Sequence, residues 1–269
     1  MSFLQSLLRI LDARMTQPVC YGWFHILCLI LTIGATVALC VFFRKAEPKK
    51  VCTIVLATAI LVVILEIYKQ IDFSFAHPDG IYFQYLWYAF PWQFCSTPMY
   101  IGLLAGIIRK GHVHDSLCAY LATYGLFAGL AVMIYPGDVF VPQIGINIQT
   151  MICHGSMIVI AIFLIATGHV KLDFKTVLRA APVFSVMLGI AMILNEVMYR
   201  LGIQNFNMFF VSPHCAPSLP VFSLVQPYLP FALDLLVYIL GFTAASFILS
   251  MLIMAIRAIF FRKPAKATV

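Results

Sequence analysis

The chain has 269 residues, 63% of them apolar or aromatic and 10% charged, with a mean hydropathy of +1.00. A soluble domain runs nearer ~45–50% apolar and ~25% charged, so a soluble globular domain, a disordered chain and a disulfide-stapled secreted module are all excluded. The net charge of +7 falls in loops between apolar runs, where it sets membrane orientation and gives no reason to invoke nucleic acid.

A membrane-crossing helix needs ~20 apolar residues, and the sequence predicts an all-α bundle of seven. In chain order the predicted spans are 20–43, 51–70, 91–109, 116–135, 146–168, 180–201 and 228–257. Ahead of them, residues 1–19 carry Phe3, Leu4, Leu7, Leu8 and Leu11 at helical spacing among polar neighbours. That pattern predicts an amphipathic helix lying in the interface. Arg9, Asp12 and Arg14 break any signal-peptide profile. Residues 261–269 read as a basic tail.

Seven crossings put the 44–50, 109–115 and 169–179 loops and the C-terminal tail on one side. Thirteen of the seventeen Lys and Arg fall there; Arg9, Arg14, Lys69 and Arg200 fall on the other. The bias predicts an outside N-terminus and an inside C-terminus. The outer connections 71–90 and 202–227 are long, and the first is rich in Phe, Tyr and Trp. Those rings read first as an interfacial belt, and second as the mouth of a lipid site.

Charge inside a span costs ~2.5–3.5 kcal/mol, so such residues face partners or cavities. The candidates are Glu66, Gln93, Cys95, His154, Asn195, Glu196 and Asp234. At 1.5 Å per residue all seven fall in the outer half of the bilayer. Asn147 and Thr150 continue a polar stripe to His154 at i, i+3 and i+7. The pattern points to a polar cavity open outward; a structural hydrogen-bond network between helices is the plainer alternative. Glu66 with Lys69, and Glu196 with Arg200, stand at ion-pair spacing. Asp234 has no cation on its own helix.

Cys95 and His154 are the reactive pair. A thiol becomes a nucleophile beside a base, and imidazole is the natural base near neutral pH. Pro98 is expected to kink the third helix and free the Phe94 carbonyl. A buried thiol and a hydrogen-bonded core histidine would equally account for both residues. No C-x-x-C occurs, so Cys28, Cys40, Cys52 and Cys118 read as small hydrophobes. His112 and His114 read as solvated loop residues. No metal or other cofactor is expected, because His154 is the one deep histidine and His25 lies near a helix end. Cys20 and Cys215 fall on the same side, which allows a disulfide between them.

At these residues the chain resembles a known family. Leu65-Glu66-Ile67-Tyr68-Lys69, Trp92-Gln93-Phe94-Cys95 and Cys153-His154-Gly155 are similar to segments of the YwaF-like bacterial integral membrane proteins, relatives of the eukaryotic transmembrane protein 164 family. Asn195, Asn205-Phe206-Asn207-Met208-Phe209, Pro213 and Pro217 extend the resemblance over residues 20–260. It implies a seven-helix fold in a bacterial cytoplasmic membrane. For the eukaryotic relatives it implies phospholipid acyl transfer, and the nucleophile and base would here be Cys95 and His154. Their Asn-Pro before the cysteine is replaced here by Gln93-Phe94, and Ser96 stands where they have a histidine.

Three functions compete at this stage. One is a Cys–His acyltransferase working on membrane phospholipids through a thioester. The second is a small-solute or ion transporter, or a ligand sensor, using Glu66, Glu196 and Asp234. The third is a metal-dependent seven-helix hydrolase. No protein partner is indicated by the sequence.

Overall fold

A computed structural model describes residues 8–77, 80–216, 219 and 222–260. Seven apolar helices account for most of them: α1 (Trp23–Phe43), α2 (Pro48–Phe75), α3 (Thr97–Ile108), α4 (His112–Ile134), α5 (Ile144–Ala166), α6 (Phe174–Arg200) and α7 (Phe231–Phe260). Six are long and apolar enough to cross a membrane. The exception is α3, with 12 residues.

Prolines explain where the boundaries depart from expectation. Pro98 sits in the first turn of α3, where a missing N–H costs nothing. It therefore starts the helix instead of kinking it, and residues 91–96 stay outside it. The Phe94 carbonyl is not freed either: it accepts from the Thr97 hydroxyl at 2.8 Å. Pro48 begins α2 three residues earlier than expected, and the helix then runs on through Lys69, Gln70 and Asp72 to Phe75. Pro230 precedes α7, so Asp234 lies in its first turn and not two turns deep.

The described part of the N-terminal segment is helical only from Leu8 to Leu11. The amphipathic helix expected through residue 19 otherwise gives way to a strap: Met15 N donates to Pro142 O at 2.8 Å, and Ile144 N to Ala13 O at 2.9 Å. Residues 1–7 and the expected tail, 261–269, lie outside the described residues. A two-residue hairpin, β1 (Ala76–His77) and β2 (Gly80–Ile81), follows α2.

The middle of the bundle is α4 and α5. Each is more than half buried, while α1 presents an apolar exterior on almost every side. That division is what lipid permits, because exposed leucines cost nothing in hydrocarbon. Close helix contacts rest on glycine. A Cβ at Gly106 of α3 would meet the Leu56 backbone of α2 at 2.9 Å, and one at Gly102 would meet Ala59 at 3.0 Å. Gly102 and Gly106 thus form a small-xxx-small seam between α2 and α3. Gly155 lets α5 approach Thr32 of α1, as its size suggests. A π-turn, Leu121–Gly125, interrupts α4. Beside it Tyr124 stacks on Phe184, which stacks in turn on Tyr238.

Asp173 caps α6 by accepting the Thr176 N–H at 2.7 Å, and this bond holds its carboxyl below the usual range. A depressed folded pKa gives stability that is present above the unfolded value and lost as pH falls through the folded one. Asp173→Ala is expected to lower stability by about 1 kcal/mol at neutral pH. Thermal unfolding in detergent should show the difference vanishing in acid, below the ordinary Asp titration.

Candidate functional site

The centre of the site is Glu66 of α2. Lys69, one turn on, reaches its Oε1 at 2.8 Å, so the expected ion pair forms, and it forms with both side chains mostly shielded. Its further partners come from elsewhere in the chain as well as the next turn. Gln70 Nε2 donates to the same oxygen at 2.7 Å, and Gln149 Nε2 of α5 to Oε2 at 3.3 Å. Tyr85 donates to Gln70 Oε1 at 2.7 Å. A buried charge pair is retained only where such bonds satisfy the remaining lone pairs.

Cys95 sits in a 3-10 turn, Phe94–Ser96, directly before α3. That turn is held from α4. Thr97 Oγ1 donates to Phe94 O, so in its 2.6 Å bond with Tyr120 the tyrosine hydroxyl donates.

His154 lies on α5 and is buried. Its Nδ1 is 2.7 Å from the Thr150 carbonyl, which can only accept, so the proton is on Nδ1. The lone pair is then on Nε2, which is buried with no hydrogen-bond partner. An unpaired imidazole nitrogen inside a protein is costly and reads as a base waiting for a proton.

Cys95 is partly accessible and lines a cavity of about 620 Å³, within the range of ligand sites, ~300–1,000 Å³. The walls are Phe94, Phe127, Ala128, Ala131, Val132, Phe222, Val225, Val237, Phe242 and Ala245, with Gln93 and Tyr238 the other polar groups beside it. This corrects the expected wet pocket. The space at the thiol is oily, and neither Glu66 nor Lys69 lines it. The neutralised Glu66–Lys69 pair carries no excess charge to draw water into it.

Two predicted residues brace a wall of this site. Asn195 of α6 bonds the backbone of Met208 at both ends, Nδ2 to O at 3.0 Å and N to Oδ1 at 2.7 Å. Gln93 does the same between Asn207 O and Phe209 N, both at 2.9 Å. Tyr238 donates to Phe209 O at 2.9 Å. The three hold Phe209 and Phe210 at φ 58° and 57°, a left-handed pair that bulky residues adopt only when surroundings over-determine it. Asn195→Leu strands a buried N–H and a buried C=O, at about 1–3 kcal/mol each. A fall in thermal stability of that order, read by tryptophan fluorescence, is the expected result.

Three others do not join the site. Asn147 turns to the preceding loop, bonding Val141 N and O at 3.0 and 2.7 Å. Glu196, one position past Asn195, points outward, with Arg200 at 2.6 Å and His214 at 2.9 Å. Adjacent helical residues differ by ~100° in direction, so one being inside puts the other out. Asp234 makes no ion pair among the described residues. The carboxylates invoked for a transport path share no ion-pair or hydrogen-bond partner among the described residues. Some rings of the aromatic connection cover the bundle: Trp87 and Phe90 pack on buried Phe206, and Trp92 just beyond it donates to Met187 O, while Phe83 and Tyr88 stay exposed. Cys20 and Cys215 are both free thiols, which removes the disulfide. His25 bonds the Tyr21 N–H and Met133 O, leaving no nitrogen for a metal.

A family model described as the TMEM164 family matches residues 20–257. The chain belongs to the TMEM164 family. That match spans α1 to α7 and includes Cys95, His154, Glu66 and Lys69. No curated protein and no solved structure matches the chain significantly. Membership identifies a membrane protein of this family and leaves the reaction to be argued from the site.

Proposed function

We propose that this TMEM164-family protein is a thiol acyltransferase acting on membrane phospholipids, with Cys95 as acyl carrier and His154 as base. The observation that carries the reading is the position of Cys95. The thiol lines an oily cavity sized for a ligand, and the same bundle supplies a shielded ion pair on α2 and, on α5, an imidazole nitrogen with a vacant lone pair. An ester bond divides the same way, with its acyl tail apolar and its headgroup polar.

In the reaction, the Cys95 sulfur attacks the ester carbonyl carbon while His154 Nε2 takes the S–H proton. The carbon–oxygen bond breaks, and the imidazolium returns the proton to the departing lysophospholipid oxygen. An acceptor hydroxyl then attacks the thioester, loses its proton to His154 and releases the thiolate. The developing oxyanion lies at the N-terminal end of α3, where backbone N–H groups and the helix dipole favour negative charge. The tail lies between α4 and α7 throughout. Basic loops on one side orient the chain with its N-terminus outside. Cys95 then works at the outer leaflet of a bacterial cytoplasmic membrane.

The test uses full-length protein in vesicles holding a phospholipid with a labelled acyl chain and an unlabelled lysophospholipid. Label should move to the lysophospholipid with wild type and not with Cys95→Ala. Equal transfer by both would reject the reading. Labelled-solute flux into the vesicles that persists in Cys95→Ala would favour transport instead.

A further inference from the structure

At the other end of the bundle three residues converge that the acyl-transfer reading does not use. Cys52 lies in the second turn of α2, fourteen positions from Glu66, about 21 Å along the helix axis. His114 lies in the first turn of α4, and His169 in the connection between α5 and α6. Cys52 Sγ and one ring nitrogen of each histidine all fall within 4.8 Å of one another. By sequence Cys52 reads as a small hydrophobe and His114 as solvated. In the fold they are 1% and 3% exposed and belong to one cluster.

Protons alone bond this cluster only loosely. His114 Nδ1 is 3.0 Å from Ala105 O, an acceptor, so Nδ1 carries the proton and Nε2 presents a lone pair. Around that one lone pair stand His169 Nε2 at 2.9 Å, Cys118 Sγ at 3.5 Å and Cys52 Sγ at 3.9 Å. His169 is the one close donor to it, and the Cys52 thiol otherwise has only a long contact with the Arg109 carbonyl at 3.8 Å. A cation would bind these atoms more tightly, because each of them can act as a donor of electrons. The backbone bond on Nδ1 is also the usual support of a metal-bound histidine, fixing tautomer and ring plane.

The spacing suits zinc. Bonds of ~2.0–2.3 Å in a tetrahedron put ligand atoms about 3.3–3.8 Å apart; here the two pairs at His114 stand at 2.9 and 3.9 Å and all three atoms within 4.8 Å, so small side-chain shifts bring them to a metal. Thiolate with imidazole selects zinc-class metals over magnesium or calcium. His169 is the half-buried member.

We propose that Cys52, His114 and His169 form a binding site for a divalent transition metal of the zinc class, with the fourth position facing Cys118. Cys52 gives its proton to water on binding, and both imidazoles bind neutral. The metal would tie the start of α2, the start of α4 and the α5–α6 connection together. No step of acyl transfer passes through it.

Full-length protein in detergent, stripped with a chelator, is to be reloaded with zinc or cobalt alone and washed. Wild type should retain one metal per chain, and the cobalt form should show thiolate-to-cobalt charge-transfer absorption. Cys52→Ser should lose that absorption. His169→Ala, on a connection and so least able to disturb folding, should bind at least tenfold more weakly and lose the zinc-dependent rise in Tm. Cys95→Ala should bind as wild type does, which separates this site from the acyl site. Wild type holding well under one metal per chain, or His169→Ala and Cys52→Ser holding as much as wild type, would overturn the proposal.

Discussion

Cys95→Ala is expected to leave a folded protein that forms no acyl intermediate. His154→Asn should still be acylated, but about 10²–10⁴-fold more slowly, the usual worth of a positioned base. The two differ because the thiol supplies the bond and the imidazole only the proton path. Asparagine keeps a polar group near the Thr150 carbonyl that His154 Nδ1 now satisfies. Single-turnover thioester formation in vesicles separates the two outcomes. Equal rates in wild type and His154→Asn would remove His154 from the reaction and leave its unpaired nitrogen unexplained. The vacancy of that nitrogen is what makes the prediction sharp, since a histidine bonded at both nitrogens, as His25 is, has nothing to offer a proton.

Gly106→Val is expected to destabilise the bundle and to lower activity with it. Its Cβ would lie 2.9 Å from the Leu56 Cα and 3.1 Å from the Cys52 carbonyl, and both are backbone atoms that cannot rotate away. Overpacking typically costs about 1–3 kcal/mol, and here relief requires sliding α3 along or away from α2. Because α3 continues directly from the turn that carries Cys95, activity should fall together with stability. Gly34, where an added methyl would meet nothing within 4 Å, is the control: Gly34→Ala should be near neutral. Thermal unfolding and transfer activity of the two variants, measured together, check this.

The fold was legible to the extent that lipid imposes it. Long apolar runs located every helix because hydrocarbon tolerates little else. The ends were harder. Pro48, Pro98 and Pro230 set three of them, and each works as a first-turn or pre-helix residue whose role depends on the turn before it. Of the site, the Glu66–Lys69 pair could be read because it is local, at i and i+3. Gln149 lies 83 positions from Glu66, and Tyr120 lies 23 from Thr97, so no sequence spacing announces them. Asn195 and Glu196 show the other limit. Both are polar residues of one span, and only the rotation of α6 decides that the first clamps a loop and the second meets Arg200. The Cys52–His114–His169 cluster was hidden for the same reason. Its members are 62 and 55 positions apart, far from any metal-ligand spacing within one element.

The most direct measurement of the central claim is mass spectrometry of peptides from wild-type protein held in phospholipid vesicles without an acyl acceptor. The account predicts an acyl chain on Cys95, released by hydroxylamine and consumed when lysophospholipid is added. An unmodified Cys95 alongside active transfer, or an acyl group carried on Cys153 in its place, would contradict it.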